Sequence, residues 1–373
     1  MSRPFLPIIG AVIAACWALA LVLAAIDPMD LYPWGIQPKL RADGEYSLES
    51  TPYVVAAAAK TADIDTLFLG GSTGHFYTPR MMEETLPNTH RAFNLSYSSP
   101  SARDRAPAFR QVLRYSHARR IIIEADWTYT MPKKDQRMTE SFPVYMYDDV
   151  WWNDVRGVDM QTIELSLAVL SGHPLWIDAW SKAHEQRGYQ NRYDTLHTDQ
   201  AVANFKTILA RQKPTIDVPS SLTCESMDEI EDDLVPFVRS LSSRGAEVDV
   251  LIPAYSRLMY YWAAQPDVVP PPSRPSLLND VLVMRRCLVQ LLDGMPHVHI
   301  YSFDDVKGLA DDLRNYFDPV HLYNPQANRY ILRSIASGEH RLTRDNVEAK
   351  NAQMKLSVVD YQFTNEKVWA PPP

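Results

Sequence analysis

The chain is short of cysteine and glycine, and nowhere does it concentrate positive charge. Its three cysteines define no framework by spacing. Cys16 lies in an apolar N-terminal run. Cys224 and Cys287 either pair in an oxidising compartment or leave Cys287 as a buried thiol within the largely apolar residues 281–292. Thirteen glycines stand against 28 prolines, a balance that suggests many fixed loops around regular elements. Lys and Arg number 37 and Asp and Glu 45, and the net charge of −8 is spread without a basic stripe, which excludes nucleic acid as the expected partner. What is present is ordinary for a globular protein: 46% hydrophobic and 22% charged residues, in a chain of 373 that can bury one large core or two small ones.

The first informative segment is Phe5–Ile26, 22 residues without a charge. It meets the length of ~20 apolar residues needed to cross a bilayer. Arg3 precedes it, and Asp27 and Asp30 follow, so the positive-inside rule leaves residues 1–4 in the cytoplasm and exports the rest. Two other readings exist. A cleaved signal peptide would have a shorter apolar core. Lipidation at Cys16 fits the Ile13-Ala14-Ala15-Cys16 box, but the chain stays apolar beyond it. The expected location is therefore the inner (cytoplasmic) membrane, single-pass, with the bulk of the chain in the periplasm or its equivalent.

Residues 27–47 read as a linker, with turn formers and little periodicity. Short apolar runs then alternate with helical patterns. Strands are expected at 65–69 (DTLFL), 91–95 (RAFNL), 120–124 (RIIIE), 248–253 and 298–303, and helices at 79–86, 102–116, 226–243, Leu277–Leu292 and from about Asn324. Such alternation predicts an α/β domain over 48–344, a parallel sheet with helices on both faces whose ligands bind at the carboxyl ends of the strands. Residues 126–214, aromatic-rich with helical patterns near 161–170 and 199–211, read as an insertion at that end. Residues 345–373 read as a polar, then proline-rich, surface tail.

Two blocks can carry chemistry. In Leu67-Phe68-Leu69-Gly70-Gly71-Ser72-Thr73-Gly74-His75, a serine follows a buried strand and two glycines. A sharp turn there would expose its hydroxyl and leave backbone N–H groups free at the start of the next helix, which is what a nucleophile with an adjacent oxyanion site requires. The plainer reading is a helix cap. It is not a phosphate-binding P-loop, because the Gly-Lys-Ser/Thr ending is missing. In Tyr316-Phe317-Asp318-Pro319-Val320-His321, the spacing lets the Asp318 carboxylate bond one imidazole nitrogen of His321 and frees the other to face a serine. The plainer readings are a cap beside a surface histidine, or half of a metal site. His75 reads as a surface or structural histidine, and Asp126 as a residue that orients a neighbour. Trp127, Tyr129, Tyr145, Tyr147, Trp151, Trp152, Tyr255, Tyr260, Tyr261 and Trp262 suit sugar rings or, more plainly, a core. Only Trp127 has a positional argument, since it follows the third strand.

Taken together, a serine after the first strand and an Asp-x-x-His before the last helix resemble the SGNH/GDSL hydrolase superfamily. Phe93-Asn94-Leu95-Ser96-Tyr97-Ser98-Ser99 looks like that family's second-strand block, with serine where the family has an oxyanion glycine. Ile121-Ile122-Ile123-Glu124-Ala125-Asp126 stands at its Gly-x-Asn block, and the asparagine is missing. The pattern is similar to membrane-anchored envelope proteins of the alginate O-acetyltransferase and D-alanyl transfer groups. The resemblance implies a flavodoxin-like (SGNH) sheet and acyl transfer to or from an envelope polysaccharide, with Ser72, Asp318 and His321 catalytic. It further implies Gly71, Asn94, Ser98, Ser99 and Trp127 at the oxyanion and substrate sites, with backbone N–H groups at Ser72 and near Ser98–Ser99 holding the oxyanion and Asn94 orienting that loop. No cofactor or metal is expected. The partners implied are a polysaccharide acceptor, an acyl donor supplied by a multi-span membrane acyltransferase, and the membrane itself. A catalytically silent glycan-binding or scaffold domain, and a lipid or small-ester hydrolase, are the alternatives.

Overall fold

The computed structural model describes residues 5–26, 64–96, 105–131, 214–266, 273–316 and 318–361. Phe5–Ile26 is one helix, α1, with no acidic residue in its first turn and no basic residue in its last; its side chains are described only in part. Among the residues described in full, no helix is long and apolar enough to cross a membrane.

The rest is an α/β domain. Strands β1 (Thr66–Leu69), β2 (Ala92–Asn94), β3 (Arg120–Glu124), β4 (Glu247–Ile252), β5 (Val298–Ser302) and β6 (Arg341–Leu342) form one sheet in the order β2-β1-β3-β4-β5-β6. All neighbours are parallel except β5 and β6. Leu67, Ile121, Ile122, Val248 and Val250 are wholly buried, which is why these strands read as apolar runs rather than alternations. β1 lies between β2 and β3, so the chain leaves it in one direction and later crosses to its other side. A ligand crevice forms at such a reversal, at the carboxyl ends of the strands.

Helix α2 (Pro79–Thr85) starts where Thr78 accepts from the Met81 N–H and Pro79 presets the first turn. It packs against α7 (Pro325–Ser337). In a second group, α4 (Val235–Ser243, entered through a π-helical turn at Ile230–Leu234) packs on both α3 (Arg105–Tyr115) and α6 (Leu277–Leu292). Right-handed crossovers send the connection that runs from β1 to β2 and those that run the other way to opposite faces. Short α5 (Arg257–Ala263) and the two-residue β6 have no counterpart in the sequence reading.

One expectation is corrected. Residues 345–361 are not a surface tail. Val347–Val359 is helix α8, packed on α6 and α5, with Val347, Asn351, Met354 and Val358 buried. The stripe escaped notice because one of its four positions is polar: Asn351 donates to the Leu282 carbonyl at 3.1 Å, while Leu356 on the opposite side is 64% exposed. The tether at 27–47, the predicted helices near 161–170 and 199–211, and the last residues from 362 lie outside the described residues.

Cys224 and Cys287 form a disulfide with Cα atoms 5.3 Å apart, joining the segment before α4 to the middle of α6. Of the two alternatives open in the sequence, this is the oxidised one. Closing a loop of this length removes about 4 kcal/mol of denatured-chain entropy in the loop-closure account.

Candidate active site

The nucleophile candidate sits on a turn that only glycines permit. After β1 the chain passes Gly70 and Gly71 into a 3₁₀ helix, Ser72–Phe76. A Cβ on Gly70 would come within 2.6 Å of Glu124 Oε2, one on Gly71 within 2.8 Å of Arg105 Nη2, and one on Gly74 would overlap the Ser96 hydroxyl. The turn is thus packed against β3, α3 and the end of β2 at the closest approach a backbone allows.

The partner loop braces itself. An isolated antiparallel bridge between Tyr316 and Leu322 closes its base. Within it, Asp318 Oδ1 accepts from the Val320 and His321 backbone N–H groups at 2.7 and 2.8 Å. Ser256 donates to the Pro319 carbonyl at 2.7 Å and Tyr316 OH to the Ala254 carbonyl at 2.9 Å, which tie the loop to the end of β4. Asn324 caps α7 just beyond.

These two elements, 249 residues apart, meet: Ser72 Oγ is 2.8 Å from His321 Nε2. His321 Nδ1 is 2.6 Å from Asp318 Oδ2. The side chains of His321 and Asp318 keep 18% and 27% of their exposure, so the group is reachable from solvent. Burial alone would lower the His321 pKa, but the charge and hydrogen bond of Asp318, with Glu124 adding to them, hold it above the usual histidine value. Burial likewise works to raise Asp318, and the charge and hydrogen bond of His321, together with the two N–H groups, hold it below the usual carboxylate range. Chemically this is a hydroxyl in contact with a base whose tautomer is fixed by a carboxylate.

Other predicted site residues fare differently. The Gly71 N–H is no oxyanion donor here, because it donates to Glu124 Oε2 at 2.6 Å. Asn94 is committed to structure: its amide donates to the Gly74 and Tyr77 carbonyls at 2.8 and 2.7 Å, and its oxygen accepts from the Ser96 N–H at 2.8 Å. It therefore braces the serine turn instead of facing a ligand. Ser98 and Ser99 lie outside the described residues. Trp127 opens a 3₁₀ turn at the end of β3, half-buried, its backbone N–H donating to the Tyr255 hydroxyl at 3.0 Å and its ring under Arg274. Tyr129, Tyr255, Tyr260 and Tyr261 belong to the core, at 2% exposure or less, which removes them as sugar platforms. Tyr145, Tyr147, Trp151 and Trp152 are outside the described residues. His75 is half-buried, and burial, with the nearby His321, pushes it down to about 3, so it is neutral near pH 7.

Sequence reading missed the buried charges behind the turn. Glu124 ends β3 at 1% exposure and accepts from Gly71 N and from the Thr73 hydroxyl, both at 2.6 Å. Arg105, on α3, pairs with Asp126 and donates to the Glu124 carbonyl at 3.2 Å. Asp126 also caps the turn that follows it, accepting from Thr128, so its expected orienting role falls on Arg105 and Thr128. The signal was a glutamate closing the apolar run Ile121-Ile122-Ile123, where burial demands a partner. Among the described residues, no three His, Cys, Asp or Glu side chains gather as a metal site. A cleft of about 840 Å³ lined by Asp65, His90, His117, Arg120 and Glu247 lies at the amino ends of the strands, away from Ser72.

Neither a protein-family model nor a curated protein sequence matches the chain.

Proposed function

We propose that this protein is a serine acyltransferase or esterase of the extracytoplasmic face, an SGNH-like domain held by a single N-terminal membrane helix. The observation that carries the reading is the Ser72–His321–Asp318 chain of contacts, at 2.8 and 2.6 Å. Strand order 2-1-3-4-5, the flavodoxin-like order, with the serine at the switch strand β1, supports the family resemblance. The chemistry follows from the geometry. Ser72 Oγ attacks an ester carbonyl while His321 Nε2 takes its proton. The tetrahedral adduct then expels the alcohol, to which His321 returns the proton, leaving an acyl-serine. A sugar hydroxyl or water, deprotonated by His321, attacks that ester and releases Ser72. With the Gly71 N–H engaged, the Ser72 N–H at the start of its 3₁₀ turn is the donor next to the developing oxyanion.

The export reading is supported by the uncharged 22-residue helix Phe5–Ile26 and by the Cys224–Cys287 disulfide, a bond that persists in oxidising compartments. The acceptor proposed is an envelope polysaccharide and the group transferred an acetyl or similar small acyl. A silent scaffold is the second reading, favoured by one observation: the Gly71 N–H is bonded to Glu124 and is not offered to an oxyanion. Turnover of p-nitrophenyl acetate by the full-length protein in detergent separates them. Wild-type turnover that Ser72→Ala abolishes supports the enzyme; equal background from both supports the scaffold.

A further inference from the structure

Ser72 is flanked by two residues that bond the same carboxyl group. Gly71 N–H donates to Glu124 Oε2 and the Thr73 hydroxyl to Glu124 Oε1, each at 2.6 Å. Glu124 comes from a different strand, 53 residues on, and reaches the turn only because Gly70 carries no side chain: a Cβ there would sit 2.6 Å from Oε2. The acid is buried, so it cannot rotate away to water. An ion in such a place is retained only where its bonds are satisfied. Both carboxyl oxygens are used, one on each side of the nucleophile.

We propose that Glu124 is a positioning residue for Ser72: its carboxylate clamps residues 71 and 73 so that the hydroxyl between them points at His321, and its charge stabilises the imidazolium formed during reaction. This rests on the reading of Ser72 as the nucleophile. Every element around Glu124 contributes to its charge state. Arg105 faces it from α3, Asp126 from the end of its own strand, and Thr73 and Gly71 from the turn. Tyr77, Tyr255 and His321 feel its charge from the segments after the turn, after β4 and in the Asp318 loop. Burial, then Asp126, pushes its pKa up to about 7, against Arg105 and the two bonds. The charged form of Glu124 in turn favours the charged form of His321.

The test uses full-length protein in detergent and an alkyl fluorophosphonate, a probe that phosphonylates an activated serine with loss of fluoride. Second-order labelling rates are measured from pH 5 to 9 for wild type, Glu124→Gln, Glu124→Ala and Thr73→Val, with thermal midpoints recorded alongside. Glu124→Ala is expected to label about 10²-fold more slowly, the cost of an ångström-scale misplacement. Glu124→Gln, which keeps the shape, is expected to retain most of the plateau rate but to shift the acid limb to lower pH, because His321 loses a neighbour that raised its pKa. A purely structural role would lower the midpoint without moving that limb. Thr73→Val, which breaks one of the two bonds, decides the matter if Glu124→Ala does not fold, and is expected to slow labelling by about 10-fold. Wild-type labelling together with unchanged rates and an unchanged limb in Glu124→Gln and Thr73→Val overturns the proposal alone. Absence of labelling in wild type overturns the reading of Ser72, and the proposal with it.

Discussion

The two halves of the proposed active site are built in opposite ways. The loop that carries Asp318 and His321 is ordered mainly from within: one side chain caps the loop's own N–H groups, a bridge closes its ends, and the base is oriented by a residue three positions away, with two bonds anchoring it to the segment after β4. The turn that carries Ser72 is held from outside, by Glu124 of β3 and by Asn94 at the end of β2, and is kept narrow by glycines. The first kind of construction resists changes elsewhere in the fold. The second couples the nucleophile to the buried charges at the end of β3 and on α3.

That contrast predicts a hierarchy of effects. Asp318→Asn strikes the base loop itself. Losing the correct histidine tautomer is expected to cost about 10⁴-fold in kcat on p-nitrophenyl acetate, with the far-UV spectrum unchanged. A loss below about 10-fold would show that His321 is oriented by something other than Asp318. Gly70→Ala strikes the other half without touching a reacting atom. Its methyl would displace the Glu124 carboxylate, and kcat is expected to fall about 10²-fold while the KM for the small ester stays within about threefold. If Gly70→Ala retains full activity, the external clamp is dispensable.

This division also explains what could be read in the sequence. Asp318 and His321 stand three residues apart, and Ser72 follows a strand and two glycines, so each half leaves a local signature. The strands at 120–124 and 248–253 and the helix Leu277–Leu292 were legible because burial on both faces or on one long stripe writes a run of apolar residues. Glu124 is different. Nothing near it in sequence names its partners, which lie 53 and 51 residues earlier. Asn94 is similar, since its amide bonds carbonyls 20 and 17 residues earlier. The α8 stripe was obscured by Asn351, a polar residue whose burial depends on a carbonyl of α6.

Smaller effects sharpen the comparison further. In the proposed mechanism the neutral form of His321 is the base, and its pKa is held above the usual value, so kcat/KM is expected to rise with pH through a midpoint above 6.5 and then level off. A flat profile from pH 5 to 9 would remove His321 from its assigned role. Asn94→Ala removes the second external brace, but leaves the Glu124 clamp in place. A loss of about 1–3 kcal/mol in unfolding free energy is expected by denaturant titration, since two carbonyls and an N–H lose their partner, with a drop in kcat of less than about 10-fold. An Asn94→Ala protein as stable as wild type would show those bonds to be replaceable by water.

Activation of Ser72 by His321 is tested most directly by mapping a fluorophosphonate adduct on the full-length protein by tandem mass spectrometry. A single adduct on Ser72 that is lost in His321→Ala is expected. No adduct on Ser72, or one that forms equally fast without His321, would contradict it.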